Sequence, residues 1–233
     1  MIRYHTTWDI LCQIVMCLGI FIMGCGSPAE EVRDLSSYYF PINALSAEGT
    51  LYTYRNMQDT LADMELWRHR KKGDGLIESI NYNFKEEVVQ RQFDRIVGNG
   101  VLIDSLILYF EDSLGVKRQQ KVKVLTPHRF PFEPGDSTKV WLTHLEWWQP
   151  EDSVHVVLER RRRFIGPVNW EFEGQTIPAV KFRTEDKFET EQVGWTSSAW
   201  TGEEIYAKDI GLVYYKRNIS DQLSLEFQLE SIK

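Results

Sequence analysis

Residues 223–232, LSLEFQLESI, alternate apolar and polar side chains without a break. Leu223, Leu225, Phe227 and Leu229 face one way, and Ser224, Glu226, Gln228 and Glu230 face the other. Successive side chains of an extended chain point to opposite faces, so this segment reads as a half-buried strand, apolar in and polar out. The same period recurs from Leu51 onward. Thr50–Arg55 sets Leu51 and Thr53 opposite Tyr52 and Tyr54. Leu76–Phe84 offers Ile80, Tyr82 and Phe84 on one face, and Val89, Phe93 and Val97 fall at even spacings in the next run. Ser105–Glu111 reads as buried on both faces. Val116–Val124, Val140–Trp148, Val154–Phe164, Ala179–Thr184 and Gly211–Arg217 complete the set.

Turn residues separate these runs: Lys72-Gly73-Asp74-Gly75, Gly98-Asn99-Gly100, Leu114-Gly115, Pro134-Gly135-Asp136 and Pro150-Glu151-Asp152. Their spacing suits hairpins. The predicted fold is therefore mainly β, an antiparallel meander of about nine to eleven strands with little helix, forming one curved sheet or a partly closed (half) barrel. Asn56–Glu65, with Met57, Leu61 and Met64 at helical spacing, reads either as a short helix or as a loop entering a strand at Met64–Arg70. Phe40-Pro41 and Phe130-Pro131 each precede a turn glycine and an aromatic strand, an echo that fits two related halves or coincidence.

With 233 residues, 42% of them hydrophobic, the chain can bury one sizeable core but not two large ones. The net charge of −7 argues against nucleic acid, whose phosphates demand a basic face. All three cysteines, Cys12, Cys17 and Cys25, precede residue 26. The body must therefore stand by packing alone, with no disulfide, thiol nucleophile or cysteine metal site.

Ile10 to Met23, ILCQIVMCLGIFIM, is almost entirely apolar. It is shorter than the ~20 residues of a membrane span and suits a signal-peptide core. A short anchor or a buried helix is the alternative. Asp9 and Gln13 weaken the first, and the small-residue site that follows weakens the second. Ile22-Met23-Gly24-Cys25 resembles the lipobox of bacterial lipoproteins. That resemblance implies cleavage after Gly24 and acyl chains on Cys25. Two or three chains hold a protein firmly at a bilayer, since each buried CH₂ contributes about 0.8 kcal/mol. Residues 1–24 are then a signal peptide, 25–37 (GSPAEEVRDLSS after Cys25) a flexible tether, and 38–233 a single β-rich domain. Gly26, rather than Asp, after the cysteine implies the outer membrane. YYFPI…G…LYTY near the start and EEIYAKDIGLVYYKRN (Glu203–Asn218) near the end resemble a group of exported Bacteroidetes lipoproteins. The group implies an envelope location and a β-rich fold rather than an activity. Half-barrel lipoprotein carriers of the periplasm offer a fold-level analogy, which does not set function.

No HExxH, GxSxG, phosphate loop or metal-spaced His/Cys cluster occurs, and no cofactor or metal is expected. His69, His128, His144 and His155 stand far apart and read as surface or strand-face residues. Acidic residues are too many for the sequence to select a hydrolase pair. The run Glu159–Phe164, ERRRRF, is the most unusual local feature. On a strand Arg160 and Arg162 share one face and Arg161 and Arg163 the other, so one pair must face the concave side, reach a rim, or meet acidic partners. Such a pair could bind a carboxylate, phosphate or lipid head group. A solvated or edge-protecting strand, paired to Glu and Asp on its neighbours, is the plainer reading.

Trp141, Trp147, Trp148, Trp170, Trp195 and Trp200 either line an apolar cleft or fill the core of a wide sheet. Trp147 and Trp148 are adjacent and point to opposite faces. Candidate ligand or partner contacts are Arg160, Arg162, Trp141, Trp147, Trp148, Trp195 and Trp200. The expected function is a non-catalytic, lipid-anchored envelope protein that holds an apolar or amphiphilic ligand, or an envelope protein, on its concave face. A structural accessory subunit of an outer-membrane complex and a hydrolase are the alternatives.

Overall fold

The computed structural model describes residues 32–58, 64–111, 115–136, 138–149 and 154–233. Gly24 and Cys25, with the signal-peptide reading, lie outside them. Twelve strands follow a one-turn helix α1 (Ser36–Tyr39): β1 (Thr50–Asn56), β2 (Met64–Gly73), β3 (Leu76–Tyr82), β4 (Val88–Val97), β5 (Gly100–Glu111), β6 (Lys117–Pro131), β7 (Trp141–Gln149), β8 (Val154–Phe172), β9 (Gln175–Glu191), β10 (Trp195–Ala207), β11 (Gly211–Asn218) and β12 (Ser224–Ile232). Each pairs antiparallel with the next. β12 also pairs with β1, through Tyr54 opposite Leu229 and Asn56 opposite Phe227, so the meander is a closed barrel. Leu51 and Lys233 exchange backbone hydrogen bonds of 2.7 and 2.9 Å at this seam. The predicted half-barrel is corrected: closure joins strands from the two ends of the domain, and alternation within a strand carries no information about its partner.

β2 starts at Met64, which favours the strand-entry reading of that region; residues 59–63 lie outside the described set. The strand missing from the sequence reading is β10. Its residues Thr196, Ser198, Trp200, Gly202 and Glu204 lie opposite lumen residues of β9, so the inward face is largely polar and the usual pattern is reversed. β3 and β4 show the same reversal. Ser79, Asn81, Gln90, Gln92 and Asp94 face the lumen, whereas Ile80, Tyr82 and Phe93 face outward.

The wall's outer face carries ion pairs: Lys123–Glu146 at 3.0 Å, Arg95–Asp104 at 2.6 Å, Lys181–Glu203 at 2.7 Å. Each such exposed pair contributes little to stability. Together they make a charged outer wall, unlike the apolar band of a membrane-spanning barrel. Among the described residues no helix is long and apolar enough to cross a membrane.

One end of the barrel is plugged. The hairpins β2–β3, β4–β5, β6–β7 and β10–β11 turn there, and residues 32–46 lie across it. Leu35 N donates to Phe132 O at 2.7 Å, Asp209 N to Ser37 O at 2.7 Å, and Lys71 N to Ser46 O at 3.0 Å. Leu35, Tyr39, Phe40 and Leu45 enter the main core with Tyr52, Phe130, Phe182 and Tyr206. The compact unit spans Val32–Lys233, with residues 32–37 packed into it. Leu35, fully buried at 0% exposure, is the reason.

Gly211 shows how tightly the plug is held. Its φ of +105° suits glycine, and a Cβ there would lie 2.5 Å from both the Phe40 ring and the Tyr39 carbonyl oxygen. Gly174, at φ +75°, has open space around it. Gly174→Ala should cost about 1 kcal/mol for the backbone alone. Gly211→Ala should cost roughly 2–4 kcal/mol, because the Phe40 plug must also shift. Urea unfolding of the two variants checks this; equal costs would mean the plug does not bear on Gly211.

Candidate functional site

The lumen beyond the plug is polar, and it is built around arginines. β8 enters with Arg160 and Arg162 pointing inward, two residues apart on one face. β9 and β10 bring Asp186 and Glu204 to meet them. Arg160 holds Asp186 through two parallel bonds, Nε to Oδ1 at 2.7 Å and Nη2 to Oδ2 at 2.8 Å. Arg162, 1% exposed, donates from Nε to Glu204 Oε2 at 2.9 Å and from Nη1 to Thr143 Oγ1 at 3.2 Å. Arg217 of β11 reaches Glu204 Oε1 at 2.9 Å and lies 3.3 Å from Asp186 Oδ2. Trp200 Nε1 and the Tyr206 hydroxyl donate to the remaining acceptor positions, each at 3.0 Å. Three guanidiniums thus share two carboxylates. Burial pushes Glu204 upward, but Arg162, Arg217 and Arg160 outweigh it and hold the carboxyl well below its ordinary range. Asp186 is likewise lowered, against its burial, first by Arg160.

A second polar group lies on β3 and β4. Asp94 is 1% exposed and accepts from the Tyr39 hydroxyl of α1 and from Gln92 Nε2, both at 2.7 Å. Burial raises its pKa. His69 Nδ1 is 2.8 Å from Ser79 Oγ, and the His69 ring packs on Phe40 with centroids 4.2 Å apart. Burial, with the nearby Arg129 charge, lowers His69 to about 3, so the imidazole is neutral.

Between these two groups is a cavity of ≈ 250 Å³. Arg129, Arg160, Arg217, Glu65, Gln90 and Gln92 supply its polar wall, and Tyr54, Trp67 and Tyr215 its aromatic wall. Toward the mouth the lumen turns apolar. Leu106 and Leu108 lie opposite Gln92 and Gln90, and Leu158 is two residues mouthward of Arg160. Leu106, Leu145 and Val122 form a second core cluster with Leu108, Trp147 and Leu158 packed against it. Among the described residues no group of three His, Cys, Asp or Glu is placed to hold a metal ion.

Of the residues singled out from sequence, Arg160 lines the cavity and Arg162 is sealed beneath it. Trp200 anchors Asp186. Trp147 sits on the apolar mouthward wall, and Trp141 packs near Phe182 at the plugged end, with centroids 6.3 Å apart. Trp148 and Trp195 face outward, 55% and 56% exposed, on either side of His155, so they do not share the concave side. Arg129, Arg217, Asp94 and Gln92 were not singled out. They come from β4, β6 and β11, and only the folded barrel collects them.

No family model matches the sequence, and a search of curated proteins finds no match. By structure the chain is similar to a proposed exported protein with a YmcC-like fold from Bacteroides fragilis, with TM-score 0.53 and 15% identity over 84% of this chain and 99% of that one. It is also similar to a proposed lipoprotein from Parabacteroides distasonis, with TM-score 0.50 and 11% identity over 79% of this chain and 95% of the other. At these identities the likeness is one of fold, and it agrees with the resemblance to exported Bacteroidetes lipoproteins.

Two outcomes test the lumen's electrostatics. Glu204→Gln removes the charge shared by three arginines and should lower stability by roughly 3–5 kcal/mol at pH 7, measured by urea unfolding. His69 in the folded chain cannot take the proton that the unfolded chain takes at about 6.5. Its contribution is complete above that pH and is lost as pH falls toward 3, by about 1.4 kcal/mol per pH unit. His69→Gln should flatten that slope between pH 6.5 and 5; an unchanged slope would place the titration elsewhere.

Proposed function

We propose that this is a lipid-anchored, non-catalytic envelope protein that holds an amphiphilic ligand inside its barrel. The observation that carries the reading is the polarity gradient of the lumen. Charged and aromatic groups surround a cavity deep in the barrel, and a cluster of aliphatic side chains lies mouthward of it. Binding chambers for small molecules combine an apolar wall with a few fixed polar groups in this manner. The anchor is Cys25, which lies seven positions before Val32, the first described residue of the plugged end.

The hydrolase alternative rests on the His69–Ser79 contact. A histidine with a pKa near 3 is too weak a base to activate a hydroxyl at neutral pH, which favours the non-catalytic reading. One observation favours the accessory-subunit alternative. Met57, Met64, Phe84 and Leu223, at mouth-end turns and strand ends, and the outer Trp148 and Trp195 expose large apolar surfaces, as a protein-docking rim does.

Native mass spectrometry of protein purified from its own membranes tests the ligand. A co-purifying lipid-like mass that Leu158→Arg abolishes is the expected result. A ligand-free barrel that is instead crosslinked to an envelope protein at Met57 or Leu223 would support the accessory role. Cys25→Ala should abolish acyl labelling; persistent labelling would overturn the anchor.

A further inference from the structure

Among the described residues, four arginines enter the lumen, and three of them hydrogen-bond to carboxylates. Arg129 does not. Among the described residues it makes no side-chain hydrogen bond or ion pair, and its Nε is buried without a partner. It nevertheless lines the ≈ 250 Å³ cavity. Its position follows from a break in the β5–β6 ladder: Val101 pairs with Phe130 and Leu102 pairs with His128, so Arg129 faces no partner residue. An extra residue of this kind turns its side chain out of the strand's alternation, and such bulges occur where a side chain must be re-aimed. Here Phe130 packs into the core and Arg129, beside it, also faces inward.

The groups around the cavity leave Arg129 unmatched. Asp94 is occupied by Tyr39 and Gln92, and Asp186 and Glu204 by the other three arginines. Glu65, on the far wall, accepts from Trp67 Nε1 at 3.0 Å. His69 is neutral. Arg129 is half-buried and feels Asp94 and Glu204 only across space, so a guanidinium whose Nε is buried without a partner still lacks a hydrogen-bonded counter-ion. Water would satisfy its N–H groups but not its charge, and the cavity has room for about eight molecules at about 30 Å³ each. An anion supplies both.

We infer that this cavity is an anion subsite, in which Arg129, flanked by Arg160 and Arg217, receives the carboxylate or phosphate head of an amphiphile whose chain runs past Leu158, Leu108 and Trp147 to the mouth. The planar guanidinium suits either head by paired hydrogen bonds. Gln90 and Gln92 stand on the adjoining wall with amide groups that orient it. From Arg160 to Val154 at the mouth is about 20 Å of strand, longer than an eight-carbon chain. The inference rests on the reading of the lumen as a ligand chamber and adds the charge and direction of its occupant: head inward, tail outward.

Isothermal titration of the Cys25→Ala chain, which needs no detergent, with octanoate, octyl phosphate and octanol tests both ideas separately. At least one octyl anion should bind tenfold or more tightly than octanol, and the stronger of the two identifies the head group. Arg129→Gln should remove that advantage and leave octanol binding unchanged, with Arg129→Lys intermediate. Circular dichroism and the melting temperature show that the variants are folded. The wild-type comparison stands without them. Octanol binding as tightly as the anions would overturn the anion subsite and keep the chamber. No binding by any of the three would overturn both. Anion preference that survives Arg129→Gln would overturn the assignment to Arg129.

Discussion

A barrel of twelve strands is wider than its own side chains can fill, because diameter grows with strand number and about eight strands already leave only enough room for packed side chains. Every feature of this interior responds to that surplus of space. At one end the chain brings in a segment from outside the barrel. Residues 32–46 lay Leu35, Tyr39, Phe40 and Leu45 against Phe130, Phe182 and Tyr206. Gly211 has no side chain because the Phe40 ring occupies the space where one would be. In the middle, long arginine side chains span what aliphatic ones would leave empty. Mouthward of them, Ile103, Leu106, Val122 and Leu145 form a second apolar cluster.

The arginine–carboxylate group shows what this solution demands. Burying Arg162 and Glu204 costs several kcal/mol for each ion, which their attraction offsets only because further donors complete the geometry. Tyr206 of β10 and Arg217 of β11 are those donors to Glu204, and Thr143 of β7 accepts from Arg162. Such a group adds little net stability compared with an apolar core. It does tie β7, β8, β9, β10 and β11 into one arrangement, and it sets the electrostatic background against which Arg129 is left without a partner.

Much of the wall was legible in the sequence. The strands with apolar inward faces, such as β1, β7 and β12, announce themselves by period-two alternation, and glycine turns mark several of the hairpins. β10 was not legible, because its inward face carries Thr196, Ser198, Gly202 and Glu204 and a polar lumen inverts the usual rule. The ERRRRF run signalled that one arginine pair would face the concave side, reach a rim or meet acidic partners. It did not say that Asp186 and Glu204, 26 and 42 residues away, would receive them. Arg129 gave no signal at all. A single arginine between His128 and Phe130 looks like any outward residue, and only a bulge opposite Val101 and Leu102 turns it inward.

The sequence by itself determined the strand-rich body, the antiparallel order of its neighbours and the lipobox-like Cys25, because these depend on residues close together along the chain. Closure, the plug and the polar cavity were decided only by tertiary structure. Each joins groups that are distant in sequence: β1 to β12, Phe40 to Gly211, Arg129 to the space between Arg160 and Gln92. Local pattern encodes which face a side chain takes, but the register and curvature of the whole sheet decide what it meets there.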